Sequence, residues 1–254
     1  MMKDNMLNTR QFYDTLAGDY NEMIRFSQRL ETEIKVLQRW QKIYRFKSVL
    51  DAGCGSGLHS LAFSALGLSV TGVDLSENMI HKAQENAGKL VENRVSFIQS
   101  SFKEIPKRVN KTVDAVFCLG NSLAHCVTRE ELIAALKAFH RVCNEGGLIV
   151  VQLLNYNKIL NEKERIVAIN YNLNKEYIRF YDFIDPLLNF NILKIDRDEG
   201  THALQTTTLF PYTLVDIVRE LEFCGCRIEK KYGSLNFEEF DENKSANLII
   251  TIRR

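Results

Sequence analysis

Residues 49–60 read VLDAGCGSGLHS. A short apolar run ends in the acid Asp51 and breaks into three glycines, Gly53, Gly55 and Gly57, after which Leu58, Leu61, Ala62, Ala65 and Leu66 recur at helical spacing. The pattern predicts a strand, a glycine-rich loop and an amphipathic helix, the opening of a nucleotide-binding α/β fold. The glycines follow GxGxG; the dinucleotide fingerprint GxGxxG needs its last glycine at position 58, which is leucine. A turn without side chains lets the backbone approach a ligand, and the helix behind it offers free N–H groups. Asp74 closes the next strand in TGVDLS, where a carboxylate in such folds accepts both hydrogen bonds of a ribose diol. A glycine loop alone is compatible with a purely structural turn, but paired with this acid it predicts an adenosine-type ligand.

Outward from that turn, strands are expected at 48–50, 69–73, 95–99, 113–119 and 147–154, with helices after Gly57, Ser76 and Thr128. Thr128 and Glu131 make a capping box. Strand and helix in alternation mean a parallel sheet. Upstream, 9–44 is helical by pattern, with Tyr13, Leu16, Ala17 and Tyr20 on one stripe and Ile34, Val36, Leu37, Trp40, Ile43 and Tyr44 on another. Downstream, 165–210 alternates β-formers with polar residues and predicts an antiparallel elaboration. The tail returns to a helix at 213–224 and strands at 226–232 and 246–252, so seven strands are available to one sheet. The expected organisation is a pair of N-terminal helices (1–47) forming a lid on the same domain, and an α/β core (48–254) with a pocket-forming insertion at about 160–211.

With 254 residues and 45% hydrophobic content, one elaborated α/β domain can be filled. A formal charge of +1 does not suggest a polyanionic partner, so nucleic acid is disfavoured. No apolar segment approaches the ~20 residues that cross a bilayer and the N-terminus lacks a signal core, so no membrane partner and a cytoplasmic location are expected. The six cysteines form no CxxC pair, and Cys224-Gly225-Cys226 is too tight for usual ligand spacing, so no metal is expected.

In this order the segments VLDAGCGSG, VTGVDLSENMI and VCNEGGLIVVQ resemble the first, ribose and fifth-strand motifs of the class I S-adenosylmethionine-dependent methyltransferases. The resemblance implies a Rossmann-like, seven-stranded, mostly parallel sheet with helices on both faces and a reversed last hairpin. It assigns S-adenosylmethionine as cofactor and S-adenosylhomocysteine as product. By motif, Gly53 and Gly55 would admit the methionine part, Asp51 would contact its amino group indirectly, and Asp74 with Leu75 would meet the ribose. A plainer role for Asp51 is to cap its own loop. Ser101 and Phe102 fall where the family often has an acid for the adenine amino group; this chain has none, and Phe102 would stack on adenine or serve the core.

LGNSLAH (119–125) and GLIVVQLLNYNKIL (147–160) are similar to segments of the glycine and sarcosine N-methyltransferases, and FYDTLAGDY (12–20) to their N-terminal helix. This implies that Tyr20, Leu119, Asn121, Ser122 and His125 face cofactor or substrate, with Tyr13 a weaker candidate. One departure bears on the substrate. Those enzymes carry an arginine for the substrate carboxylate immediately before Asn-Tyr, where this chain has Leu154, and leucine cannot make charge-assisted bonds. Free glycine is therefore disfavoured unless Arg165, Arg179 or Arg25 replaces that arginine.

The expected function is methyl transfer to a small-molecule acceptor, with nitrogen favoured, by a monomer or homodimer. Such transfer rests on alignment more than on acid or base groups. An amine must nevertheless arrive neutral, and His125, Tyr156 and His202, in falling order, could take its proton; His125, Asn121 and Tyr156 form the catalytic set. His125 has an equal reading as a packed histidine near a helix start. Tyr171, Tyr177, Phe180, Tyr181 and Phe183 would line the pocket wall or fill the core. The alternatives are an RNA or protein methyltransferase and a non-catalytic cofactor-binding subunit.

Overall fold

The computed structural model describes residues 6–89, 94–172 and 174–254. Five short runs that are apolar on both sides form parallel strands: β1 (Ser48–Ala52), β2 (Ser69–Asp74), β3 (Val95–Gln99), β4 (Val113–Cys118) and β5 (Cys143–Leu154). β10 (Arg227–Tyr232) and β11 (Asn247–Arg253) complete the sheet in the order β10-β11-β5-β4-β1-β2-β3, with β11 antiparallel to both neighbours. The order reverses beside β1, which lies between β2 and β4, and that switch point opens a crevice at the carboxyl ends of the strands.

Alternation along the strands divides the core between the two faces. Val49, Ala115, Phe117, Val150 and Ile249 meet α2 (Phe26–Tyr44) and α3 (Leu58–Ala65), and Leu50, Val116, Ile149, Val151 and Ile250 meet α6 (Arg129–Val142) and α8 (Leu214–Phe223). The helix starts carry their expected caps: Ser76 accepts from Met79 N at α4 (Glu77–Ala87), and Thr128 and Thr213 form capping boxes at α6 and α8. The short helices α5 (Ile105–Arg108) and α7 (Tyr156–Glu162) fill the connections after β3 and β5. β5 starts four residues before its apolar run, because the register jumps from Val113–Cys143 to Ala115–Leu148 and the extra residues bulge through Gly146 at φ +71°.

The 160–211 region is a separate antiparallel sheet, β6-β7-β8-β9, made of β6 (Ile166–Asn172), β7 (Lys175–Ile184), β8 (Leu187–Asp196) and β9 (Thr201–Leu209). α1 (Thr9–Met23) lies between it and the core. On one flank Asp14 accepts from the Ser76 hydroxyl at 2.6 Å and Asn21 donates to Asn86 at 2.9 Å. On the other, Asp19 holds Lys194 at 2.7 Å, Phe12 and Leu16 pack on Ile192, and Leu7 N donates to Thr206 O at 2.9 Å. Among the described residues no helix is long and apolar enough to cross a membrane.

Trp40, the single tryptophan, shows how α2 is fixed. It is fully buried, stacks on Phe237 at 4.5 Å and on Tyr44 at 5.5 Å, meets Phe117 of the sheet edge-on, and donates Nε1–H to Leu235 O at 2.8 Å. Trp40→Ala should lower the unfolding free energy by about 3–5 kcal/mol. Urea unfolding followed by circular dichroism measures it; a loss under ~1 kcal/mol would mean that α2 is held mainly by other contacts.

Candidate active site

The glycine loop is built for close approach. Gly53, Gly55 and Gly57 have φ +79°, +54° and +87°, a region that favours glycine. Gly53 N and Cys54 N donate to Val73 O at 2.8 and 3.0 Å, tying the loop to the end of β2. A Cβ on Gly53 would stand 2.6 Å from Ser122 Oγ, and one on Gly55 3.5 Å from the Tyr20 ring. The loop thus runs between the β4 turn and α1, with no room for a side chain toward Ser122.

Asp74 joins this loop to its neighbours. Its Oδ2 accepts from Gly55 N at 2.8 Å and its Oδ1 from Ser76 N at 2.9 Å, with the Leu75 backbone a third donor, so of about four acceptor sites one is left for a ligand. Burial pushes its pKa up to about 6, against the opposing pull of those backbone bonds.

These groups surround a cavity of about 380 Å³ at the carboxyl ends of β1, β2, β3 and β4. Of the residues singled out by sequence, Tyr13, Tyr20, Gly53, Gly55, Asp74, Leu75, Ser101, Phe102, Leu119, Ser122 and His125 are in its wall. Phe102 belongs to both readings offered for it, since it lines the cavity and also meets Phe139 of the core edge-on at 5.3 Å. Asp51 lies behind the wall, buried, accepting from Ser60 Oγ at 2.6 Å and from the Ser60 backbone, and burial raises its pKa.

Asn121 and Tyr156 lie outside the wall, bonded to each other. Asn121 sits at φ +69°, accepts from Leu154 N at 3.0 Å and donates to the buried Tyr156 hydroxyl at 2.8 Å. It fastens the β4 turn to the end of β5. The Tyr156 hydroxyl is turned toward Tyr181, and its pKa lies well above the ordinary phenol value because of burial.

His125 reaches the cavity and shares a hydrogen bond with Tyr13 at 2.9 Å, Nε2 to hydroxyl. Burial pushes its pKa down to about 4, so the imidazole is neutral near pH 7, and its Nδ1 has no partner. His202 is exposed on β9, outside the wall. The insertion aromatics do not line the cavity either: Tyr177 and Tyr181 are buried in the core and Tyr171 is 62% exposed, so the insertion sheet backs α1 instead of facing the cavity. Arg29, His59, Cys126 and Glu131 are also in the wall, none of them expected there from the sequence. Glu131 was legible only as half of a capping box.

A methyltransferase-domain family model matches residues 49–147, from β1 into β5. A glycine/sarcosine N-methyltransferase from Aphanothece halophytica is 29% identical over 161 residues, 63% of this chain and 60% of that protein. The glycine N-methyltransferase of Homo sapiens is 33% identical over 126 residues, 44% of this chain and 42% of its own length. An S-adenosylmethionine-dependent methyltransferase structure from Clostridium acetobutylicum superposes with a TM-score of 0.78 at 17% identity, covering 95% of this chain and 98% of that one.

The chain carries a methyltransferase-like domain at residues 49–147, the stretch that holds the glycine loop and Asp74.

Its alignments span at most about 60% of the length of these curated relatives, and the structural likeness establishes the fold. The cavity suits the family's cofactor on its own geometry. A glycine cradle that a Cβ would fill stands beside the half-buried Asp74 carboxylate, and apolar Leu75, Phe102 and Leu119 face the same space. Among the described residues no group of three His, Cys, Asp or Glu could hold a metal ion.

The Asn121 fastening can be tested without ligand. Asn121→Gly keeps the left-handed backbone but removes both bonds and should cost about 1–3 kcal/mol. Asn121→Ala should cost roughly 1–2 kcal/mol more, from the Cβ at positive φ. Urea unfolding of the two variants decides it; equal stabilities would show that φ is not the constraint.

Proposed function

We propose that the protein transfers the methyl group of S-adenosylmethionine to the nitrogen of a small-molecule amine. The observation that carries this reading is the cavity itself: a glycine cradle and the Asp74 carboxylate on one side, Tyr13 and Tyr20 of α1 on the other, in a volume usual for small-molecule sites. The preference for nitrogen is supported by the N-methyltransferase relatives.

When bound, the cofactor supplies an electrophilic methyl on a sulfonium. The chain's part is placement. Gly53 and Gly55 admit the methionine portion, Asp74 accepts from a ribose hydroxyl, and Ser101 and Phe102 stand at the adenine end. Tyr13 and Tyr20 roof the chamber and exclude water, which leaves the acceptor to be aligned with the methyl; alignment of this kind is worth up to roughly 7–11 kcal/mol. Neutral His125 fixes the Tyr13 hydroxyl. With its pKa pushed down to about 4 it is a poor base, so the amine must enter deprotonated and the proton released after transfer passes to solvent.

Mass spectrometry of pooled amines, phenols, thiols, RNA and protein incubated with the enzyme and S-adenosylmethionine tests the reading. Methylation confined to the amine pool is expected. Transfer to RNA or protein alone would overturn the small-molecule assignment, and cofactor binding without turnover in any pool would favour a non-catalytic role.

Asp74 predicts a pH dependence. An ionised carboxylate is the better ribose acceptor, so S-adenosylhomocysteine affinity should fall as pH drops through about 6. In the free protein the same raised pKa works in the opposite direction: protonation relieves the burial cost, so this group's stabilising contribution is full below the ordinary carboxylate range and lost as pH rises through about 6. Asp74→Asn should bind S-adenosylhomocysteine at least about tenfold more weakly at pH 7.5, roughly 1.4 kcal/mol, with a flat pH profile. Calorimetric titrations at several pH values provide the check; a profile unchanged by the substitution would remove the ribose assignment.

A further inference from the structure

Side chains alternate along β7, so Tyr177, Arg179 and Tyr181 share one face of the insertion sheet. Tyr177 is buried and donates to Asp19 of α1 at 3.2 Å. Tyr181 is buried beside Tyr156, where α7 leaves β5. Between them, Arg179 lies on the α1-facing side of the sheet, behind the cavity wall, and its charge acts on Tyr13 and Tyr20 of that wall as well as on Tyr181. Opposite it on β8, Ile192 packs under Phe12 and Leu16, which closes that side to solvent.

Arg179 has no anion of its own. Its Nε is buried without a hydrogen-bond partner. No carboxylate acts on it, its charged and titratable neighbours being Tyr20, Tyr181, Arg29 and Tyr13, and the acids of β7 and α1 are engaged elsewhere: Asp182 with Arg165, Glu176 with Arg197, and Asp19 with Lys194 and Lys175. Among the described residues none pairs with Arg179. Arg179 is half-buried, and a partly desolvated guanidinium left unpaired is satisfied by an anion that accepts two of its N–H bonds. Loss of solvent correspondingly lowers its pKa. The other two arginines that could replace the one missing at Leu154 do not share these properties. Arg165 is held by Asp182 and the Tyr181 carbonyl, and Arg25 is exposed at the α1–α2 corner.

We propose that Arg179 grips an anionic group, carboxylate or phosphate, carried by the methyl acceptor. This rests on the methyl-transfer reading and narrows it: the acceptor is an amine with a negative charge held from the insertion sheet. The role has moved from β5 to a strand of a different sheet.

The test uses the full chain saturated with S-adenosylhomocysteine and titrated with sodium acetate or inorganic phosphate, read by thermal shift and calorimetry. At least one anion should bind the wild type, and which one does so identifies the source. Arg179→Gln should weaken that anion at least tenfold, and Arg179→Lys, which keeps the charge but not the fork, at least threefold, with S-adenosylhomocysteine affinity within twofold of wild type. The lysine variant decides the matter alone if the glutamine variant fails to fold. Absence of anion binding to the wild type, or variants that bind the anion unchanged, would overturn the proposal. Equal loss of S-adenosylhomocysteine affinity would also overturn it, by assigning the guanidinium to the cofactor's own carboxylate. A wild type that binds no S-adenosylhomocysteine would instead remove the methyl-transfer reading beneath it.

Discussion

The carboxylate of Asp74 ties three distant pieces of chain to one point. One oxygen holds the glycine loop after β1 through Gly55 N, and the other holds the start of α4 through Ser76 N. The Ser76 hydroxyl then donates to Asp14 of α1. A buried carboxylate is costly unless backbone donors meet it, so these bonds constrain each other. Any shift of α4 would loosen the glycine loop, and any shift of the loop would leave a charge unpaired. The floor of the cavity and its helical roof are therefore set by the same group that is proposed to meet the ligand.

α1 extends that constraint to the second sheet. It is hydrogen-bonded to α4 on one flank and ion-paired to β8 on the other, with Tyr13 and Tyr20 between the two attachments. Side chains held on a helix fastened at both flanks are placed more reproducibly than side chains on a loop. The insertion sheet acts on the cavity mostly through this helix. Its aromatic residues pack and its polar residues fasten, while Arg179 stands behind Tyr13 and Tyr20 without an anion of its own.

What could be read from the sequence followed the range of the interactions. The glycine loop, Asp74, the two-sided strands and the Thr128 and Thr213 caps are all encoded within a few residues, where spacing carries the information. The Tyr13–His125 and Asn121–Tyr156 bonds join residues 112 and 35 positions apart and leave no periodic trace. For Asn121 and Tyr156, resemblance of the surrounding motifs pointed to the residues but not to their bonds, which are to each other and to the β5 backbone. In the insertion, alternation revealed strands without revealing which face would be covered, because that depends on a helix about 160 residues upstream: Tyr177 docks on Asp19 while Tyr171 stays in solvent. Glu131 was hidden by its own capping role.

The docking of α1 also imposes an order on assembly. Its partners at Lys194 and Thr206 lie some 175 to 199 positions downstream of Asp19 and Leu7, the bridging N–H of Leu7 among them. Contacts at such separation carry a large loop-closure cost and form late. The side of α1 that meets α4 can dock early, but the side that meets Ile192 and Lys194 stays uncovered until the insertion strands have formed. The sheet from β1 to β5 can close before then, so the cavity gains its fixed α1 wall only after both sheets are in place.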